Sequence, residues 1–136
     1  MSLTAATAND YLAAFFAPWV RALDLTITDI GPQGATLTMP IAEHLNRAGN
    51  ILSGQALAAM ADTAMVFACA GHYGEMRPVA TTNLDTQFLR PGVGDLVRCE
   101  ATIVRAGKAL LFTRADMFCE PSGKLVASAT ATFFAP

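Results

Sequence analysis

The sequence predicts an α+β fold, with an antiparallel β-sheet wrapped round one long central α-helix and an extra N-terminal helix. Three observations predict it. The stretch SGQALAAMADTAMVFACA (53–70) is a long apolar run rich in alanine and methionine. Four segments after it alternate apolar and polar residues, as half-buried strands do. The last of them, LVASATATFF, carries a row of alanines that would let a helix lie close against a sheet.

Taken in order, YLAAFFAPWVRAL (11–23) predicts a short amphipathic helix broken at Pro18, because proline removes an N–H and clashes with the preceding turn. The residues DLTITDIGPQGATLTMPI (24–41) predict two short strands around a turn at Gly31–Gly34. AEHLNRAGNIL reads as a polar loop. The central helix starts at Ser53, a good N-cap, and ends at Gly71 or Gly74. Downstream, Leu84, Thr86 and Phe88 alternate with Asn83, Asp85 and Gln87, and PGVGD reads as a turn. Val97, Cys99, Ala101 and Ile103 share a face of the next strand, and AGK is a tight turn. Leu111, Thr113, Ala115 and Met117 share a face of the third, and EPSGK turns into the last. The pattern predicts a helix followed by a four-strand antiparallel meander.

Composition narrows the function. The 136 residues suffice for one domain, 1–136. Charged residues make up 15%, below the roughly 25% of an ordinary soluble domain. So little charge predicts surface hidden in a partner, most simply a copy of the chain. A net charge of −2 with scattered Lys and Arg argues against nucleic acid. Cys69, Cys99 and Cys119 form no CxxC pair and read as buried thiols in a reducing cytoplasm. Ala48–Gly74 is long enough to span a bilayer, but a central Asp costs roughly 2.5–3.5 kcal/mol there and alanines offset little, so no membrane span is expected. His44 and His72, even with Glu43 or Glu75, lack ligand spacing, and no metal site is expected. No Gly-x-Ser-x-Gly elbow is present.

Between Arg47 and Glu75 the only charged residue is Asp62, in the middle of the apolar helix. Its i±3 and i±4 neighbours are Ala58, Ala59, Met65 and Val66, so a solvated face is a poor account. An ion pair with Arg98 or Arg114 from the sheet is a second account. The third is functional: a carboxylate in a half-apolar cleft keeps basic or nucleophilic character. The helix start adds the complement. Ser53, Gly54 and Gln55 present free N–H groups at the positive end of the helix dipole, suited to a developing oxyanion. Gly54 and Asp62 lie about 12 Å apart along the axis, too far to share one carbonyl. Two copies related by a two-fold can do what one helix cannot.

SGQALAAMADTA together with VATTNLDTQFLRPGVGD resembles the hotdog-fold thioesterases of the PaaI-like type, over roughly residues 35–136. The resemblance implies hydrolysis of acyl-coenzyme A thioesters by homodimers that often pair into tetramers. It implies no metal and no cofactor beyond the coenzyme A of the substrate. Relatives carry His-Gly-Gly at the helix start; here Ser53, Gly54 and Gln55 stand there, and the histidine is missing. The family's upstream Asn falls on Asn46 in one register and on Arg47 or Asn50 in another. Its downstream Ser or Thr falls on Thr81, with Thr82 as the alternative. The implied mechanism has the Gly54 N–H polarising the carbonyl, Asp62 of the other chain acting as nucleophile or general base, and Thr81 orienting water. Asn46, Ser53, Gln55, Thr82 and Arg90 are the expected substrate-binding residues. Arg105 and Lys108 are further candidates for the coenzyme phosphates. Phe15, Phe16 and Trp19 read as core residues, with a cover over the acyl tunnel as the alternative. A non-catalytic module that binds acyl-CoA is the competing function.

Overall fold

The computed structural model describes residues 2–136. Helix α1 (Ala5–Phe15) begins earlier than its apolar periodicity suggests, because Thr4 and Thr7 form a reciprocal cap. The break falls at Phe16–Ala17, and Pro18 opens the short helix α2 (Pro18–Arg21) at a position where its missing N–H costs nothing. Strands β1 (Thr26–Gly31) and β2 (Gly34–Pro40) form the expected hairpin. The polar loop carries a 3₁₀ turn (Glu43–Leu45) and a small ladder of β3 (Asn46–Arg47) with β4 (Ile51–Leu52).

Helix α3 runs Gly54–Tyr73. Ser53 caps its start by accepting from the Ala56 N–H, and Gly74 closes it in the left-handed conformation that glycine adopts without a Cβ penalty. Gly71 is an interior residue of this helix, not its end. A Cβ there would stand 2.2 Å from the Gly31 carbonyl oxygen, so Gly71 lets the helix touch the β1–β2 turn.

The six-stranded sheet has the order β1-β2-β6-β7-β8-β5, with β5 Ala80–Phe88, β6 Leu96–Ala106, β7 Leu110–Glu120 and β8 Leu125–Phe134. All its ladders are antiparallel. The four-strand meander is corrected here. Only β6, β7 and β8 form one; β5 pairs with β8 at the far edge, and β6 returns to β2. PGVGD is therefore a crossover rather than a turn. Just before it Leu89 donates to Val126, and within it Asp95 donates to Glu120 and accepts from Ile41. Its glycines serve close passage: a Cβ on Gly92 would lie 2.9 Å from that of Leu52, and one on Gly94 2.6 Å from the Glu120 carbonyl oxygen.

The concave face of the sheet holds α3. Met60, Met65, Phe67, Leu111, Met117 and Phe133 are fully buried between them. Burial of each such side chain contributes about 1.5–3 kcal/mol. The alanine row, Ala127, Ala129 and Ala131, is buried as its spacing requires. Cys69, Cys99 and Cys119 are buried and unpaired. Phe16 stacks on Phe67 at 5.4 Å as a core residue, but Phe15 and Trp19 are 72% and 64% exposed. The core assignment for those two is corrected: the break at Ala17 turns them outward. Among the described residues, no helix is long and apolar enough to cross a membrane.

Candidate active site

Asp62 stands on the one stripe of α3 that the sheet leaves open. Gln55 is exposed, and Ala58, Ala59, Asp62 and Val66 are half-buried, at helical spacing along it. The sheet-facing residues on either side, Ala61, Thr63, Ala64 and Met65, are buried. Asp62 is therefore neither in the core nor on a polar surface. Burial raises its pKa above the ordinary carboxylate value, and a hydrogen bond from Thr81 partly opposes this. The Thr81 hydroxyl donates to Asp62 Oδ1 at 2.9 Å.

The ion-pair account of Asp62 fails on geometry. Arg98 and Arg114 alternate with the buried Val97, Cys99, Thr113 and Ala115, so they stand on the convex face, away from α3. Arg98 pairs there with Glu100 and Glu120. Among the described residues, Asp62 has no cationic partner.

A bulge decides between the two threonines. Leu84, Thr86 and Phe88 pair with Ala131, Ala129 and Ala127 and share the concave face. Strict alternation from them would turn Thr82 inward. The register shifts between Thr81 and Asn83, so Thr81 pairs with Phe133 and faces α3 instead. Thr82 donates to the Thr132 carbonyl and does not reach Asp62. The sequence could not show this, because a bulge leaves no periodic mark.

At the helix start, the Ala56 N–H is taken by Ser53 Oγ, whereas the Gly54 and Gln55 N–H groups have no partner among the described residues. Ser53 is thus committed to capping. Asn46 pairs with Leu52 in the small ladder, one residue from Ser53, and its Oδ1 is buried without a donor. Arg47 and Asn50 are exposed, and Asn50 takes a left-handed turn conformation. The ladder sets Asn46 beside Leu52, the residue before Ser53.

Sequence reasoning missed Phe88. Its ring lies over Gly54, where an added Cβ would stand 3.3 Å from it. Phe88 is 54% exposed, and it lines two of three openings around the helix start. One, of about 360 Å³, lies between Phe88, Gly54, Gln55 and Ala58. A second, of about 380 Å³, runs past Leu52, Leu57 and Gly92 between Arg47 and Arg90. The third, of about 280 Å³, is walled by Trp19, Leu23, Leu45 and Ala56 and also reaches Ser53 and Gln55. The signal for Phe88 was in the sequence, as an aromatic residue at the end of a mostly polar strand.

Thr81 carries a testable expectation. Its hydrogen bond favours the ionised carboxylate, so Thr81→Val should raise the Asp62 pKa further. If ionised Asp62 is the active form, the acid limb of kcat/KM against pH moves to higher pH, and the loss of rate is greatest in acid. An unshifted acid limb would show that Asp62 does not control that limb.

Comparison with known proteins agrees with the fold. Residues 49–126 match the thioesterase superfamily. A Thermoplasma acidophilum protein whose name proposes an esterase is 26% identical over 117 residues, 85% of this chain and 86% of that one. The thioesterase HI1161 of Haemophilus influenzae superimposes with a TM-score of 0.89 at 21% identity, over 100% of this chain and 92% of that one. The BH2602 protein of Bacillus halodurans, solved with CoA, gives a TM-score of 0.79 at 21% identity, over 96% and 83%. With more than half its length matched and the same wrapped-helix architecture, the chain belongs to the thioesterase superfamily and has the hotdog fold.

Proposed function

We propose that the protein hydrolyses acyl- or aryl-acyl-coenzyme A thioesters at sites shared between two copies of the chain, in the cytoplasm. The observation that carries this is Asp62: a half-buried carboxylate with a raised pKa, held by Thr81 and lacking a cationic partner among the described residues. Water adds to the acyl carbon, the C–S bond breaks, and the thiol leaves with a proton. Asp62 takes the water's proton, or attacks the carbonyl itself before water releases the acyl group. The Gly54 N–H meets the developing oxyanion.

The β5 strand supports the shared site. One of its edges pairs with β8; the other has no partner among the described residues. Asp62 is tied to β5 at Thr81, and Gly54 touches it at Phe88. Antiparallel pairing of β5 with its two-fold copy, centred near Leu84, would bring the Thr81 end of one strand beside the Phe88 end of the other. Asp62 of one copy then approaches Gly54 of the second. Such dimers would associate further into a dimer of dimers. CoA in the B. halodurans structure supports a coenzyme A ligand.

Subunit mixing tests this directly. Asp62→Asn and Gly54→Val should each be inactive alone. In a random mixture half the dimers are mixed, and each has one intact site, so about a quarter of wild-type activity should return. No recovery after verified exchange would exclude a shared site. The missing histidine favours a second reading, since Ser53 is spent on its cap: an acyl-CoA-binding module without turnover. That reading requires acyl-CoA to raise the melting temperature while no thiol is released.

A further inference from the structure

Resting on the thioesterase reading, we infer that the substrate lies across the start of α3 with a fixed polarity. Its acyl group occupies the Trp19 groove, and its phosphorylated coenzyme arm follows the groove between Arg47 and Arg90. Both grooves meet at the helix start, through Ser53 and Gln55 in one and Gly54 in the other. They differ in charge. The first is mostly apolar, walled by Trp19, Leu23, Leu45 and Ala56, with His44 as its one ionisable residue and no Lys or Arg. The second has two guanidinium groups, each with one Nη1 donating to a backbone carbonyl and the rest of the fork free for phosphate oxygens.

A thioester of coenzyme A is apolar at one end and strongly anionic at the other. Reversing it would put phosphates where no guanidinium or ammonium waits, and lay a hydrocarbon over two cations that then lose water. The charge distribution of the grooves therefore sets the direction. The Trp19 groove is also held open before any ligand arrives. His44 Nε2 lies 2.8 Å from the Ala22 carbonyl oxygen, and the Ser53 N–H donates to the Leu45 carbonyl. These bonds stitch α2, the 3₁₀ turn and the helix start together. At about 280 Å³ the groove exceeds the cavity of about 150 Å³ that admits benzene, so a single ring or a chain of similar volume fits. Trp19 is then a specificity residue: its exposed indole supplies an aromatic wall that a two-carbon acyl group would not reach.

Trp19 is also the sole tryptophan, so its fluorescence reads this groove without any need for turnover. Hexanoate and 3-phenylpropionate, as free acids, should shift its emission saturably, whereas coenzyme A alone should not. Coenzyme A binding, measured by calorimetry, should weaken about tenfold or more in an Arg47→Gln/Arg90→Gln variant. In Trp19→Ala, the ratio of kcat/KM for hexanoyl over acetyl thioester should fall about tenfold or more. A Trp19 response to coenzyme A, none to either acid, or an unchanged chain-length ratio would each overturn the assignment. If wild type releases no thiol while Trp19 still answers the acids, the hydrolase reading fails and the groove assignment stands.

Discussion

Asp62→Asn is expected to lower kcat/KM for an acyl-CoA by about 10²–10⁴-fold, the range for loss of a positioned acid–base group. Its fold should be intact, since an amide of the same shape still accepts the Thr81 hydrogen bond through Oδ1. Stability should move the other way. A carboxyl whose folded pKa lies above its unfolded value adds stability that is full below the unfolded pKa and lost as pH rises through the folded pKa. Burial gives Asp62 that sign, so at neutral pH its charge opposes folding. The variant should melt at or above the wild-type temperature at pH 7, with the difference shrinking in acid. Thiol release and calorimetric melting over pH measure both. Normal turnover in the variant would remove Asp62 from the chemistry. A marked fall in melting temperature would show that the carboxylate is structural.

Gly71→Ala should be strongly destabilising for a single added methyl. Alanine ordinarily favours a helix interior over glycine by about 1 kcal/mol. Here the new Cβ would meet the Gly31 backbone at 2.2 Å, and a backbone cannot swing aside as a long side chain does. Helix and hairpin must separate, with a net cost expected at about 2 kcal/mol or more. Urea denaturation should show a lower midpoint. Gly74→Ala, with open space around its Cβ but a left-handed φ of 74°, should cost less. A Gly71→Ala midpoint at or above wild type would mean that the close contact is not maintained.

What could be read from the residues follows what leaves a periodic trace. The Ser53 cap, the inward faces of β6, β7 and β8, and the isolation of Asp62 all do, because each is a local pattern of polarity. The sheet order does not. PGVGD carries the glycines of a hairpin turn, and only the pairing of β5 with β8 shows that those glycines serve a close crossing. The choice of Thr81 over Thr82 depends on one bulged residue, and no spacing rule forecasts it. Trp19 and Phe15 look like core because aromatic residues usually are; their exposure follows from a two-residue break whose direction the sequence does not state. Arg47 and Arg90, distant in the chain, face a common groove only once the crossover has formed.

The position of β5 at the far margin of the sheet has a further consequence, for biosynthesis. Its one neighbour among the described residues, β8, leaves the ribosome only after β6 and β7. Until then Leu84, Phe88 and Leu89 emerge on a segment whose backbone has nothing to pair with, a state prone to aggregation. Nascent chains stalled before β8 should therefore depend on holdase chaperones, and C-terminal truncations should accumulate as insoluble material rather than as smaller soluble domains.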